Sequence, residues 1–266
     1  MCSASAMCSC PAGRGSLASL ADRLARLRAT VQPLANYLHN PLAPGPGVCA
    51  VCRSAVNPGW RTCPPCAAYA SAPADMGPDI VAPIAYAIHG EQHYEDLKSY
   101  KAYRPASLAT GRLAAIGELF LLQHRACLER AAGRRLAHAS FVPSTSARVG
   151  RHPLGALLDI DADPGYVALR PDRTYPVGQR QFARDWFRAD APARGWIGGV
   201  VLLDDTWTTG SRVQSAAYAL KAAGAPAVVA VVLGRFVRAD RPAAASLIDR
   251  ARARPFDTTR CVICEA

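Results

Sequence analysis

Residues Val200–Ser211 read Val-Val-Leu-Leu-Asp-Asp-Thr-Trp-Thr-Thr-Gly-Ser, and the segments around them constrain the fold more than any other feature. The apolar run Ile197 to Leu203 fits a buried strand. Ser211 to Ala223 fits a helix stopped by Gly224, and Ala227 to Leu233 fits a second buried strand. A strand–helix–strand order implies two parallel strands joined by a right-handed crossover, hence an α/β fold with helices covering the sheet. The remaining patterns agree. Ile80 to Ile88 is strand-like, and Glu91 to Lys101 is a short helical segment. Ser107 to Gly133 is a long helix with Leu108, Leu113, Ile116, Phe120 and Leu128 recurring, and Ala139 to Pro143 is a buried strand ended by proline. A helix is expected near Gln179 to Phe187 and a last one over Ala239 to Arg254. No internal repeat is visible.

The loop after the acid pair carries the chemistry. A helix start presents unpaired backbone N–H groups and the positive end of a dipole, both suited to phosphate. Gly210 lets a ligand approach the backbone closely, and Thr206, Thr208, Thr209 and Ser211 add hydroxyls. Asp204 and Asp205 would repel phosphate, but they suit vicinal sugar hydroxyls or water on Mg²⁺. A ribose 5-phosphate needs all of these groups together. Trp207 is read as a surface aromatic without a role.

Ten cysteines point to metal ligation in a reducing compartment rather than to disulfides. Cys49-x2-Cys52-x10-Cys63-x2-Cys66 forms two knuckles joined by a short hairpin with a turn at Pro58–Gly59, the arrangement of a four-thiolate Zn²⁺ site. Four protein ligands leave no open position, so that zinc would be structural. Cys2, Cys8 and Cys10 belong to the N-terminal tip, and Cys127 reads as a small buried hydrophobe. Cys261 and Cys264 form another x2 pair with no evident partner pair, so a second complete site is not expected.

Val200–Ser211 closely resembles the 5-phosphoribosyl pyrophosphate (PRPP) motif of type I phosphoribosyltransferases: four apolar residues, two acids, then Thr-Thr-Gly and a hydroxyl. With the cysteine module before it, the chain resembles the competence-associated ComF-like phosphoribosyltransferase family over residues 48–238. Leu97 to Ala109 resembles that family's Tyr-Lys segment, and Phe141 to Leu154 its Val-Pro strand end with spaced arginines. The resemblance implies that Asp204 and Asp205 hold the ribose hydroxyls, directly or through Mg²⁺-bound water. Thr206 to Ser211 would hold the 5-phosphate, Arg148 and Arg151 the pyrophosphate, and Lys101 the pyrophosphate or a phosphate. Arg170, Arg180, Gln181 and Arg184 occupy the place of a hood over the site. One departure stands out: many members continue with Arg-Gly-Phe-Asn-Gln, where this chain has Arg151, His152, Pro153 and Leu154.

These readings divide the chain into an N-terminal tail, helix and linker (1–47), the Cys₄ module (48–70), a phosphoribosyltransferase-like domain (78–240) and a C-terminal helix and tail (241–266). The expected function is phosphoribosyl transfer from PRPP to an unidentified nitrogen acceptor. The net charge of +11 comes almost wholly from arginine in an Ala- and Pro-rich background. It favours polyanionic partners of either kind. The rival reading is therefore a non-catalytic accessory of DNA uptake that binds single-stranded DNA or a helicase partner; a PRPP-responsive regulator is a third. No apolar run is long enough to span a membrane, and the first residues do not read as a secretory signal, so a cytoplasmic protein is expected. Homo-oligomerisation is left open.

Overall fold

A computed structural model of the protein describes residues 17–70, 76–102, 107–144, 153–159, 165–172, 174–175 and 180–264. In chain order the elements are α1 (Leu17–Val31), α2 (Pro64–Ala70), β1 (Ile80–Ile88), α3 (Gln92–Ser99) and α4 (Ser107–Ala132). They continue with β2 (Leu136–Phe141), α5 (Pro153–Leu158), β3 (Leu169–Pro171), β4 (Phe187–Ala189), β5 (Gly199–Trp207), α6 (Ser211–Ala222), β6 (Val228–Val237) and α7 (Pro242–Arg252). A 3-10 turn at Gln32–Asn36 follows α1.

β1, β6, β5 and β2 lie side by side in that order, and every pairing is parallel. The chain crosses from β1 to β2 through α4, and steps back from β5 to β6 through α6. Two right-handed crossovers in opposite directions place their helices on opposite faces of a sheet. The side chains show this division with a period of two. Val201 and Leu203 pack with Leu113, Ile116 and Leu119 of α4, whereas Val200 and Leu202 pack with Val213, Ala217 and Leu220 of α6. Both faces are covered, which is why β5 and β6 read as unbroken apolar runs rather than alternating ones.

Three expectations change. First, β5 extends past Leu203 to Trp207, because β6 is long enough to pair Asp204 with Val232, Thr206 with Gly234 and Trp207 with Arg235. The acids are thus part of the strand. Second, Trp207 is only 1 % exposed. Third, no helix forms over the described residues from 180 to 187. Trp186 and Phe187 stack at 5.4 Å and are buried, and β4 pairs antiparallel with β3 and packs on α6. Among the described residues no helix is long and apolar enough to cross a membrane.

The cysteine module is a bridged turn followed by α2. Gly59 adopts φ +81° and Trp60 N–H donates to the Asn57 carbonyl at 3.1 Å, closing the expected Pro58–Gly59 turn. Residues 39–42 dock on β1: Tyr86 N–H donates to the His39 carbonyl, and the Tyr86 hydroxyl accepts from Leu42 N–H and donates to the Arg53 carbonyl.

Candidate functional site

Asp204 and Asp205 stand near the carboxyl end of β5, beside β2 and β6, where a parallel sheet offers a crevice. Asp204 is 6 % exposed and accepts the backbone N–H of Asp205 at 3.0 Å. Burial, then the neighbouring Asp205 charge, pushes its carboxyl up to about 7, against the opposing pull of Arg212 and Lys101. Asp205 goes the other way. Burial alone would raise it, but the charge of Lys101 and hydrogen bonds from Lys101 (2.7 Å) and the Tyr100 hydroxyl (2.6 Å) outweigh that and hold it below the usual carboxylate range. Two carboxylates so close cannot both ionise cheaply, and the protein resolves this by pushing their proton affinities apart. A divalent cation or a pair of donor hydroxyls would favour the doubly ionised form.

The turn follows at once. Gly210 adopts φ +84°, a conformation open to glycine, and a Cβ there would fall 2.2 Å from the Trp207 ring. The indole therefore packs under the turn, which explains both the buried tryptophan and the glycine. Gly210 is also the N-cap of α6. As a glycine it supplies no side-chain cap, and no acidic residue occupies the first turn, so this helix end suits an anion. Thr209 and Ser211 hydroxyls lie 3.2 Å apart beside it.

Three residues of this site had no role assigned from the sequence, although Tyr100 lies in the Tyr-Lys segment noted above. Tyr100 binds Asp205. Arg212 donates to the Pro143 carbonyl at the end of β2, and its Nε is buried with no hydrogen-bond partner among the described residues. Tyr69, on α2 of the cysteine module, brings its hydroxyl to those of Thr209 and Ser211; burial is the largest influence on it and raises its pKa. Lys101, expected on the pyrophosphate or a phosphate, is paired with Asp205. Arg148 and Arg151 lie outside the described residues. In the expected hood, Arg170 pairs with Asp190 at 2.9 Å, and Arg184 lies over the Tyr218 ring.

Cys49, Cys52, Cys63 and Cys66 come together as a cluster, all buried, with their sulfurs within 4.8 Å of one another. Cys63 N–H donates to Cys49 Sγ at 3.3 Å, and the Cys52 and Cys63 sulfurs are 3.6 Å apart. Zn–S bonds of about 2.3 Å in a tetrahedron place sulfurs about 3.8 Å apart, so this set can hold a structural metal such as zinc with little movement. Without a cation the four thiols share their protons unequally. Hydrogen bonds from its neighbours hold Cys49 low, while Cys63 and Cys66 are pushed up by the ionised sulfurs beside them. The expectation that Cys127 is a core filler and that Cys261 and Cys264 have no partners is corrected: the three meet one another and His124.

No family model, curated protein or solved structure matches the chain.

Proposed function

We propose that the turn after β5 binds PRPP with Mg²⁺, in a fold of the type I phosphoribosyltransferase kind, and that the protein transfers the phosphoribosyl group to a nitrogen acceptor. The observation that carries this reading is the Asp204–Asp205 pair, the first buried and the second half-buried, set before a helix start with a left-handed glycine and two hydroxyls. The 5-phosphate would take the Ser211 end of α6 and the hydroxyls of Thr208, Thr209 and Ser211. The ribose hydroxyls would lie toward Asp204 and Asp205. The acid pair fits Mg²⁺ held through water, since a hydrated dication would offset the burial and, after it, the Asp205 repulsion that together push Asp204 up to about 7. Bound there, the cation would supply charge neutralisation for the diphosphate.

In the reaction the C1–O bond breaks with its electron pair leaving on pyrophosphate, and the acceptor nitrogen's lone pair forms the new C1–N bond. The residues here contribute positioning and charge rather than covalent chemistry. Arg212 and Lys101 supply positive charge beside the acid pair. Arg148 and Arg151 are proposed on the pyrophosphate side.

Calorimetric titration of the metal-loaded protein with PRPP and Mg²⁺, beside an Asp204→Asn/Asp205→Asn variant, tests the reading. Saturable binding lost in the variant supports it. A folded wild-type protein that ignores PRPP but binds single-stranded DNA, with affinity falling steeply with salt, would replace it with the nucleic-acid reading.

A further inference from the structure

We propose that His124, Cys127, Cys261 and Cys264 form a second structural zinc site, which fastens the C-terminal segment to α4. His124 and Cys127 sit three residues apart on α4, so they share one face. Cys261 and Cys264 come from the irregular segment after α7. All four ligand atoms lie within 4.8 Å of one another. Cys264 Sγ is 3.0 Å from Cys261 Sγ, 3.2 Å from Cys127 Sγ and 3.6 Å from His124 Nδ1, and Cys127 Sγ is 3.9 Å from the same nitrogen. A tetrahedral zinc with Zn–S about 2.3 Å and Zn–N about 2.0 Å needs sulfurs about 3.8 Å apart and sulfur–nitrogen distances of about 3.5 Å. The sulfurs need only open by less than about 1 Å.

Two details favour a metal over a chance meeting of thiols. His124 is buried, and its Nε2 is 2.9 Å from the Thr258 carbonyl, which can only accept. The proton is therefore on Nε2, and the Nδ1 lone pair faces the sulfurs. A backbone carbonyl on the far nitrogen is the usual way a ligating histidine is fixed. Cys264 N–H donates to Cys261 Sγ at 3.3 Å, matching the Cys63-to-Cys49 contact in the first cluster and favouring thiolate there. A disulfide fits less well. Cys264 is almost equally close to two sulfurs, and a bond to either leaves the third thiol and the aimed imidazole unused.

The position also gives the metal a task. Phe256 and Val262 bury themselves among Val31, Leu34, Ile116 and Phe120, yet the segment that carries them has no helix or strand of its own. Among its other fastenings are the paired hydrogen bonds between Asn40 and Asp257. Cys127 and Cys264 are 137 residues apart in sequence, so a metal joining them closes a long loop, where a clip restricts the unfolded chain most. Four protein ligands leave no open position, so the site is structural.

The test is the metal content of the full chain, expressed with zinc and purified under reductant without chelator, measured by elemental analysis and native mass spectrometry. Two zinc ions per chain are expected, falling to one in Cys261→Ser/Cys264→Ser and to one in Cys63→Ser/Cys66→Ser. The wild-type count decides the matter even if a variant fails to fold. One zinc per wild-type chain with Cys127, Cys261 and Cys264 open to alkylation would overturn the proposal. So would a disulfide among those three, iron in place of zinc, or two zinc ions persisting in Cys261→Ser/Cys264→Ser.

Discussion

Replacing Asp204 with asparagine should make the protein more stable, and more so as pH rises. The folded protein holds this carboxyl near pH 7 against an ordinary value of 3.8. Between those two values the folded state retains a proton that the unfolded chain has released, so stability falls as pH climbs through that window and is level above it. At about 1.4 kcal/mol per pH unit the ceiling of this cost is about 4 kcal/mol at pH 8 and about 2 kcal/mol at pH 5. Relaxation around a buried charge lowers both, so a gain of about 2 kcal/mol at pH 8 is a fair expectation. Asparagine keeps the side-chain oxygen that accepts the Asp205 N–H, and the two N–H donors its amide brings are the one new polar demand set against the gain. Urea unfolding of both proteins at pH 5, 6, 7 and 8, at one ionic strength, reads the difference directly. A difference that does not grow with pH, or a variant weaker than wild type at pH 8, would refute the account of the pair. Under the function proposed above, the same substitution should also weaken PRPP and Mg²⁺ binding, because a site that is strained alone is one prepared for a ligand.

Two further outcomes follow from the turn and its neighbours. Gly210→Ala should destabilise by about 2 kcal/mol or more, since the new Cβ meets the Trp207 ring and the left-handed backbone. Thermal melts of Gly210→Ala, Trp207→Ala and the double variant should show the double costing clearly less than the sum of the singles. Tyr100→Phe removes a hydrogen bond to an ionised carboxylate and should cost about 1.5 kcal/mol at neutral pH. That loss should be level from pH 7 down to the ordinary carboxylate range and shrink only in stronger acid, where Asp205 takes up its proton; a loss that persists there undiminished would place its origin outside the Tyr100–Asp205 hydrogen bond.

What was legible in the sequence was local. β5, α6 and β6 form one continuous stretch in which apolar runs, a hydroxyl turn and Gly224 each speak for themselves. The four cysteines of the first cluster span 18 residues and share a turn with its own glycine signal, so they could be paired by inspection. The second cluster could not. Its histidine and Cys127 lie within an ordinary helical pattern, and its other two ligands come from the far end of the chain; only the docking of the tail on α4 unites them. The same holds at the acid pair. Tyr100 and Arg212 reach it from different parts of the chain, and Tyr69 reaches the turn beside it; only the fold shows which side chains near the motifs turn inward. β3 and β4 are three residues each, too short for alternation to register. Trp207 misled because a bulky aromatic in a polar loop reads as exposed, whereas a glycine three residues on gave it space to fold inward.

If the first cysteine cluster holds a metal and the turn a phosphate, as proposed, the contact of Tyr69 with Thr209 and Ser211 would keep the two from answering to their ligands separately. Free energy that a metal contributes to setting α2 in place would then also set one wall of the proposed phosphate site, and binding free energies must close around a cycle. If filling the cluster tightens phosphate at the turn by some factor, phosphate must tighten metal at the cluster by the same factor. A site with no chemistry of its own would then report, through zinc affinity, on whether the other is engaged.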